Sequence, residues 1–355
     1  MLKQSKTPQN TAKALKPGAR RFSTAPMMDW SDRHCRYFWR TLSENAFMYT
    51  EMVTTGAVIH GKGGPERFLG YNEQEHPVAL QLGGSKPDEL AQCAKIAQDY
   101  KYDEVNLNVG CPSDRVQNNM IGACLMGHAP LVADCIKAMQ DVVDIPVTIK
   151  HRIGIDDQDS YQELVDFVGT VAQTGCETFI VHARKAILQG LSPKQNRDVP
   201  PLKYEVVKQL KQDFPQLEII INGGFETLDS MHSALEYTDG IMVGREAYHN
   251  PALLLDVDHN FYGAIKTTPD RKQLIRNMYP YIENHLSQDG KMAYITRHML
   301  GLFNGLPGSR QFRRHLSEEA YKKTATIDVL EKALAFMPDD IEETLKETQS
   351  QSSAI

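Results

Sequence analysis

Residues 104–114 read EVNLNVGCPSD, and the reading of this stretch decides the fold. Val105, Leu107 and Val109 alternate with Glu104, Asn106 and Asn108, the period of two that marks a β-strand. The strand runs into Gly110-Cys111-Pro112-Ser113. Glycine opens backbone angles that other residues resist, and proline removes a donor and ends further pairing. A cysteine is thereby set at the C-terminal tip of a strand, on a stiff turn, beside two asparagines. A lone thiol in such a place more often packs than reacts. Its meaning has to come from the rest of the chain.

Outward from this strand, β-rich segments recur, each followed by a helical or loop segment. The expected strands are 22–27, 46–53, 77–82, 104–109, 146–151, 178–182, 218–222 and 240–243. Apolar residues at helical spacing mark helices over 88–100, 130–143, 160–174 and 202–213. Strand-helix alternation implies a parallel sheet, and eight units in one run predict an α/β fold, a closed (β/α)₈ TIM barrel. No GxGxxG follows the first strand, which argues against a dinucleotide-binding doubly wound sheet. Beyond Pro251 the alternation stops. Residues 256–340 read as helices, over 271–285, 292–302, 309–315, 317–322 and 327–336, and form a smaller all-helical C-terminal domain behind a barrel of residues 21–255. Residues 1–20 read as a basic, disordered leader, and 341–355 as a disordered polar tail.

The 355 residues suffice for a barrel plus an appendage. No apolar run is long enough to cross a bilayer, so no membrane partner is expected. Six cysteines without CxxC pairing read as reduced intracellular thiols; no metal is expected, and the location is cytoplasmic. A net charge of -6 argues against a generic nucleic-acid binder. The distribution is uneven, however. The loop HARKAILQGLSPKQNRDVPPL (182–202) carries Arg184, Lys185, Lys194 and Arg197 against Asp198 alone. Lys291, Arg297, Arg310, Arg313, Arg314, Lys322 and Lys323 form a second basic zone. Charge runs are usually solvated faces, but two such zones around a deep pocket favour a polyanion with one nucleotide inserted.

In a (β/α)₈ barrel chemistry sits on loops at the strands' C-terminal ends. Those ends here hold Pro26-Met27-Met28, Glu51, Gln81, Asn108, Cys111, Lys150-His151-Arg152, His182, Arg184, Asn222-Gly223-Gly224 and Gly244-Arg245. The last two follow strands seven and eight, where barrels bind phosphate on bare glycine amides, and Arg245 can add a charged fork. Lys150 ends an apolar strand and is costly to bury without an anion. A flavin mononucleotide supplies both a phosphate and an anionic ring edge. Gln81 would face that edge and Pro26-Met27-Met28 would bed the ring. A Schiff-base lysine is the competing reading of Lys150. Cys111 would then donate a proton to a substrate carbon, a task that needs a protonated thiol.

APMMDWSD (25–32), LNVGCPSDRV (107–116), the loop 182–202, NGG (222–224) and VGRE (243–246) resemble the flavin-dependent tRNA-dihydrouridine synthases, and the long loop after strand six resembles their A subfamily. The likeness spans about residues 21–338. It implies a barrel with bound FMN, a helical tRNA-binding domain, and NADPH-dependent reduction of D-loop uridines 20 and 20a of tRNA; separately, a monomer is expected. It implies Cys111 as proton donor. It implies flavin contacts at Pro26, Met27, Met28, Gln81, Lys150, His182, Asn222, Gly223, Gly224, Gly244 and Arg245, and tRNA contacts at Asn108, Arg184, Lys194, Arg197, Arg310 and Arg313. The alternatives are a flavin barrel acting on a free small molecule, in the manner of dihydroorotate dehydrogenases, a lysine aldolase, and a tRNA-binding module without catalysis.

Overall fold

The structure, a computed structural model, describes residues 15–113, 120–341 and 343–344. The strands are β1 (Phe22–Thr24), β2 (Phe47–Thr54), β3 (Val78–Gly83), β4 (Glu104–Val109), β5 (Val147–Arg152), β6 (Thr178–His182), β7 (Glu218–Asn222) and β8 (Gly240–Val243). Each pairs in parallel with the next, and β8 pairs with β1, so the sheet closes into a barrel. All eight expected strands are present. β1 stops at Thr24, earlier than expected, because Pro26 has no N–H to continue the ladder.

The alternation in β4 divides two cores. Val105, Leu107 and Val109 face out and are fully buried with Leu90, Cys93 and Ala97 of helix Pro87–Asp99 and Val132, Cys135, Ile136 and Met139 of helix Ala129–Gln140. A separate cluster of Phe47, Tyr49, Ala79, Ile180, Ile220 and Met242 fills the lumen. At the N-terminal end of the strands the lumen is closed by charge. The Arg20 guanidinium meets Glu104 at 2.5 Å and Glu218 at 2.8 Å, and the Tyr49 hydroxyl donates to Glu104 at 2.8 Å. Arg20 therefore departs from the disordered-leader expectation: an arginine with buried Glu104 and half-buried Glu218 opposite it is held, not free. Residues 1–14 and 345–355, and with them most of the leader and tail readings, lie outside the described residues.

The helix that Asp32 caps packs against the C-terminal segment. Helix Arg33–Leu42, absent from the sequence reading, starts where the Asp32 carboxylate accepts the N–H groups of His34 and Cys35 at 2.9 Å. After β8 the described residues form helices, turns and irregular stretches, the longest irregular one at 263–270, and no strand. The expected helix 271–285 is two, Arg271–Asn277 and Tyr279–Ser287, since Pro280 starts a new first turn. The expected pair 309–315 and 317–322 is one, Ser309–Glu319, with Phe312 and Leu316 buried.

Candidate active site

At the mouth of the barrel the tip of β4 is fixed by a relay of side-chain amides. The Asn106 amide donates to the Thr148 hydroxyl, the Gln81 amide donates to Asn106, and the Asn108 amide donates to Gln81, each at 2.8 Å. The Asn108 oxygen then accepts the backbone N–H groups of Gly110 at 3.1 Å and Cys111 at 2.9 Å. An asparagine accepting from the residues two and three ahead holds a turn locally. Cys111 is thus aimed by β3, β4 and β5 together, and it is half-buried. Its carbonyl accepts the N–H of Ala123 at 2.8 Å. Gly122 lies against it with φ +86°, and a Cβ there would stand 2.3 Å from the Cys111 oxygen.

Gln81 and Asn108 are more tied down than expected. Gln81 is buried and spends one N–H and one lone pair within the relay, which leaves one of each for a ligand. Asn108 positions the cysteine turn, and its amide is also engaged.

On the neighbouring strands cations gather, and among the described residues no carboxylate pairs with Lys150 or Arg152. Lys150 donates to Asn222 at 2.9 Å, and Asn222 donates to the Met242 carbonyl. Burial pulls the Lys150 ammonium down to about 7, and the adjacent Arg152 pushes the same way. Burial, Arg152 and Lys150 hold His182 well below its ordinary value. Among the described residues neither Lys150 nor Arg152 makes an ion pair. Such a pocket favours an anionic ligand.

The sequence reading passed over Arg152 as a functional residue. Its guanidinium donates to the carbonyls of Gly110 at 2.9 Å, Lys185 at 3.1 Å and Asn196 at 3.0 Å, tying the cysteine turn to the loop after β6. Gly122 and Asn106 were also missed. Strand period was the available signal, since Lys150 and Arg152 share a face and His151 does not.

After β7, Gly223 and Gly224 take φ +128° and +74°, and a Cβ on either would press on Leu202, at 2.8 and 2.6 Å. Both positions thus require glycine. At Gly244 a Cβ would stand 3.8 Å from the Met27 sulfur, so the loop after β8 runs beside the Pro26-Met27-Met28 segment. Met28 is exposed and Pro26 and Met27 are half-buried. Arg245 pairs with Asp198 at 2.7 Å, which places it on the rim against the loop after β6. A largely enclosed lysine with no carboxylate partner among the described residues, bare glycine amides and an apolar ledge together fit a flavin nucleotide.

The basic residues divide. Lys194 and Arg197 are exposed on the loop after β6, which buried Asn196 braces through the N–H and C=O of Ile187. Arg184 is half-buried and donates to the Pro200 carbonyl. Arg310 is exposed at the start of helix Ser309–Glu319, and Arg313 donates to Asn304 at 2.6 Å. These two stand on the helical segment, apart from the loop that carries the others.

Comparison with known proteins agrees with this geometry. A solved structure of an old yellow enzyme homologue from Zymomonas mobilis shares the fold, with a TM-score of 0.51 at 12% identity, covering 74% of this chain and 95% of that one. The tRNA-dihydrouridine(20/20a) synthase of Escherichia coli strain K12 is 63% identical over 320 residues, 90% of this chain and 92% of that protein. The protein of the same name from Pseudomonas aeruginosa is 58% identical over 330 residues, 93% and 98% of the two chains. The description "Dihydrouridine synthase (Dus)" matches residues 23–337. Because that match takes in the cysteine turn, both glycine loops and most of the helical segment, the chain belongs to the dihydrouridine synthase family.

Proposed function

We propose that this chain is a tRNA-dihydrouridine(20/20a) synthase, a cytoplasmic, monomeric flavoenzyme that reduces the C5–C6 bond of D-loop uridines with NADPH as reductant. The observation that carries the reading is the Cys111 turn, braced by Asn108 and Arg152 beside Lys150, which has no carboxylate partner among the described residues. Residues 21–255 would form the catalytic domain and 256–340 a tRNA-binding domain. Among the described residues no helix is long and apolar enough to cross a membrane.

FMN would be held by Pro26, Met27, Met28, Gln81, Lys150, His182, Asn222, Gly223, Gly224, Gly244 and Arg245. When bound it supplies the hydride for C6 of the extruded uracil. Cys111 gives a proton to C5 from its thiol, and Arg152 and Asn108 keep that thiol in place. Lys150 supplies positive charge against the cofactor's anionic edge, and burial keeps His182 neutral, able to donate a hydrogen bond. Arg184, Lys194 and Arg197 meet the tRNA backbone near the mouth, with Arg310 and Arg313 on the helical segment. The runner-up, reduction of a free small molecule, gives no role to the exposed Lys194 and Arg197.

The test is to incubate the purified, flavin-loaded protein with unmodified tRNA and NADPH and to map dihydrouridine by position. Dihydrouridine at 20 and 20a supports the reading. Colourless protein that stays so when given FMN, or tRNA left unreduced, ends it.

A further inference from the structure

Between the barrel rim and the helical segment lies a cavity of about 370 Å³, lined in part by Arg33, Thr50, Glu51, Arg67, Phe68 and Tyr294. That is the size of a small ligand site. It shares a wall with the candidate active site. The Thr50 hydroxyl accepts the backbone N–H of Gln81 at 3.0 Å, and the Glu51 carboxylate accepts the N–H of Asp29, one residue beyond Met27-Met28, at 2.5 Å.

Three features of the lining match three parts of a nucleotide. Arg33 reaches only the carbonyls of Glu66 and Arg67, at 3.3 and 3.4 Å, and Arg67 the Lys62 carbonyl at 3.4 Å. Among the described residues neither guanidinium has a carboxylate partner, so both can take a phosphate. Two rings stand in the wall with cations already over them: Arg67 over Phe68 at 5.4 Å, and Lys291 over Tyr294 at 5.9 Å. Tyr294 is 50% exposed, leaving ring surface for a base. Glu51 keeps a second carboxylate oxygen as acceptor for an N–H on a base edge. Asp32, the other acid of the lining, is closed off by Arg297 at 2.5 Å and His298 at 3.1 Å.

We propose that this cavity is a second nucleotide subsite, which holds the nucleotide flanking the target uridine. Its base lies on Tyr294, its phosphate on Arg33 and Arg67, and an N–H of its base edge on Glu51. The proposal rests on the tRNA reading above and extends it. Because Tyr294 belongs to the helical segment and Glu51 to β2, an occupied subsite fixes the RNA against both. An enzyme that reduces two consecutive uridines must seat one while the other is in the active site, and this subsite is where the second is held.

The experiment compares equilibrium binding of uridine 5′-monophosphate and the dinucleotide pUpU to the flavin-loaded protein. The wild type should bind pUpU about tenfold more tightly, the contribution of one stacked base. Tyr294→Leu, which leaves charge unchanged, and Arg67→Gln should each cut that ratio at least fivefold while binding of the monophosphate holds. Equal binding of the two ligands by the wild type, or a ratio untouched by Tyr294→Leu, overturns the subsite. Melting curves matching the wild type show that the variants are folded. The two readings fail separately: a protein that makes no dihydrouridine but keeps a Tyr294-dependent preference for pUpU loses only the proposed function.

Discussion

Lys150, His151 and Arg152 follow one another on β5 and meet three different fates. Lys150 and Arg152 face the mouth. His151, between them, is buried against Phe167 and Phe179 with ring centroids 5.2 and 5.9 Å away, and burial lowers it to about 4. The strand's period dictates this split, and it was legible. That Arg152 is functional was not, because its acceptors are carbonyls 42, 33 and 44 residues away. Two predictions belong here. Replacing Cys111 by Ala should leave flavin content and NADPH oxidation intact while single-turnover uridine reduction falls about 100-fold or more, the usual contribution of a placed acid. Replacing Lys150 by Met should act through pH. The native lysine titrates near 7 and the unfolded one near 10.5. Protonation thus costs folding in full below pH 7, and the cost fades as pH rises toward 10.5. Flavin-free Lys150→Met protein should gain about 4 kcal/mol over the wild type at pH 7 and almost none at pH 10.5, by urea melts, while binding FMN at least about tenfold more weakly.

Elements show where local pattern was enough and where it was not. β4, β6, β7 and β8 coincide with their expected limits, since each is an uninterrupted run with buried partners on both sides. Helix Arg33–Leu42 escaped notice because four of its ten residues are arginine or histidine, and all four find their partners in groups distant in sequence. Its N-cap does more than cap. Burial raises the Asp32 carboxyl, but hydrogen bonds from His298 and Arg297 outweigh this and hold it well below the usual carboxylate range. A depressed carboxylate stabilises the fold above its unfolded value near 3.8 and loses that contribution as pH falls. Asp32→Asn keeps the cap and loses the charge. It should cost about 2 kcal/mol at pH 7, with the difference from the wild type shrinking as pH drops from 4 toward 2, by urea melts. The Cys111 turn offers a companion test. Gly122→Ala would put a methyl group on the Cys111 carbonyl at a positive φ. Uridine turnover should fall more than about tenfold while flavin stays bound, because the strain of about 1–3 kcal/mol is confined to the loop that aims the thiol.

At the scale of the whole molecule, closure of the barrel could be read from eight recurring strands, but its charged floor could not. Arg20 meets Glu104 and Glu218 across separations of 84 and 198 residues, and no local pattern carries such a pairing. The same holds for charge on the outside. A chain of net charge -6 presents Lys194 and Arg197, both exposed, at the mouth, and buried Asn196 between them prevents the loop from folding away. If these two meet tRNA phosphates, each releases counterions on binding, and affinity must fall with salt. Lys194→Ala and Arg197→Ala should therefore each weaken tRNA binding at 50 mM salt, by filter binding on the flavin-loaded protein. Each should also lower the slope of log affinity against log salt by about 0.7–0.9. The loss should be the same for tRNAs of different D-loop sequence, since a phosphate contact carries no base information. A slope unchanged in both variants would mean that the tRNA approaches from another side. A loss that varied with D-loop sequence would move these two residues from the backbone to the base edges.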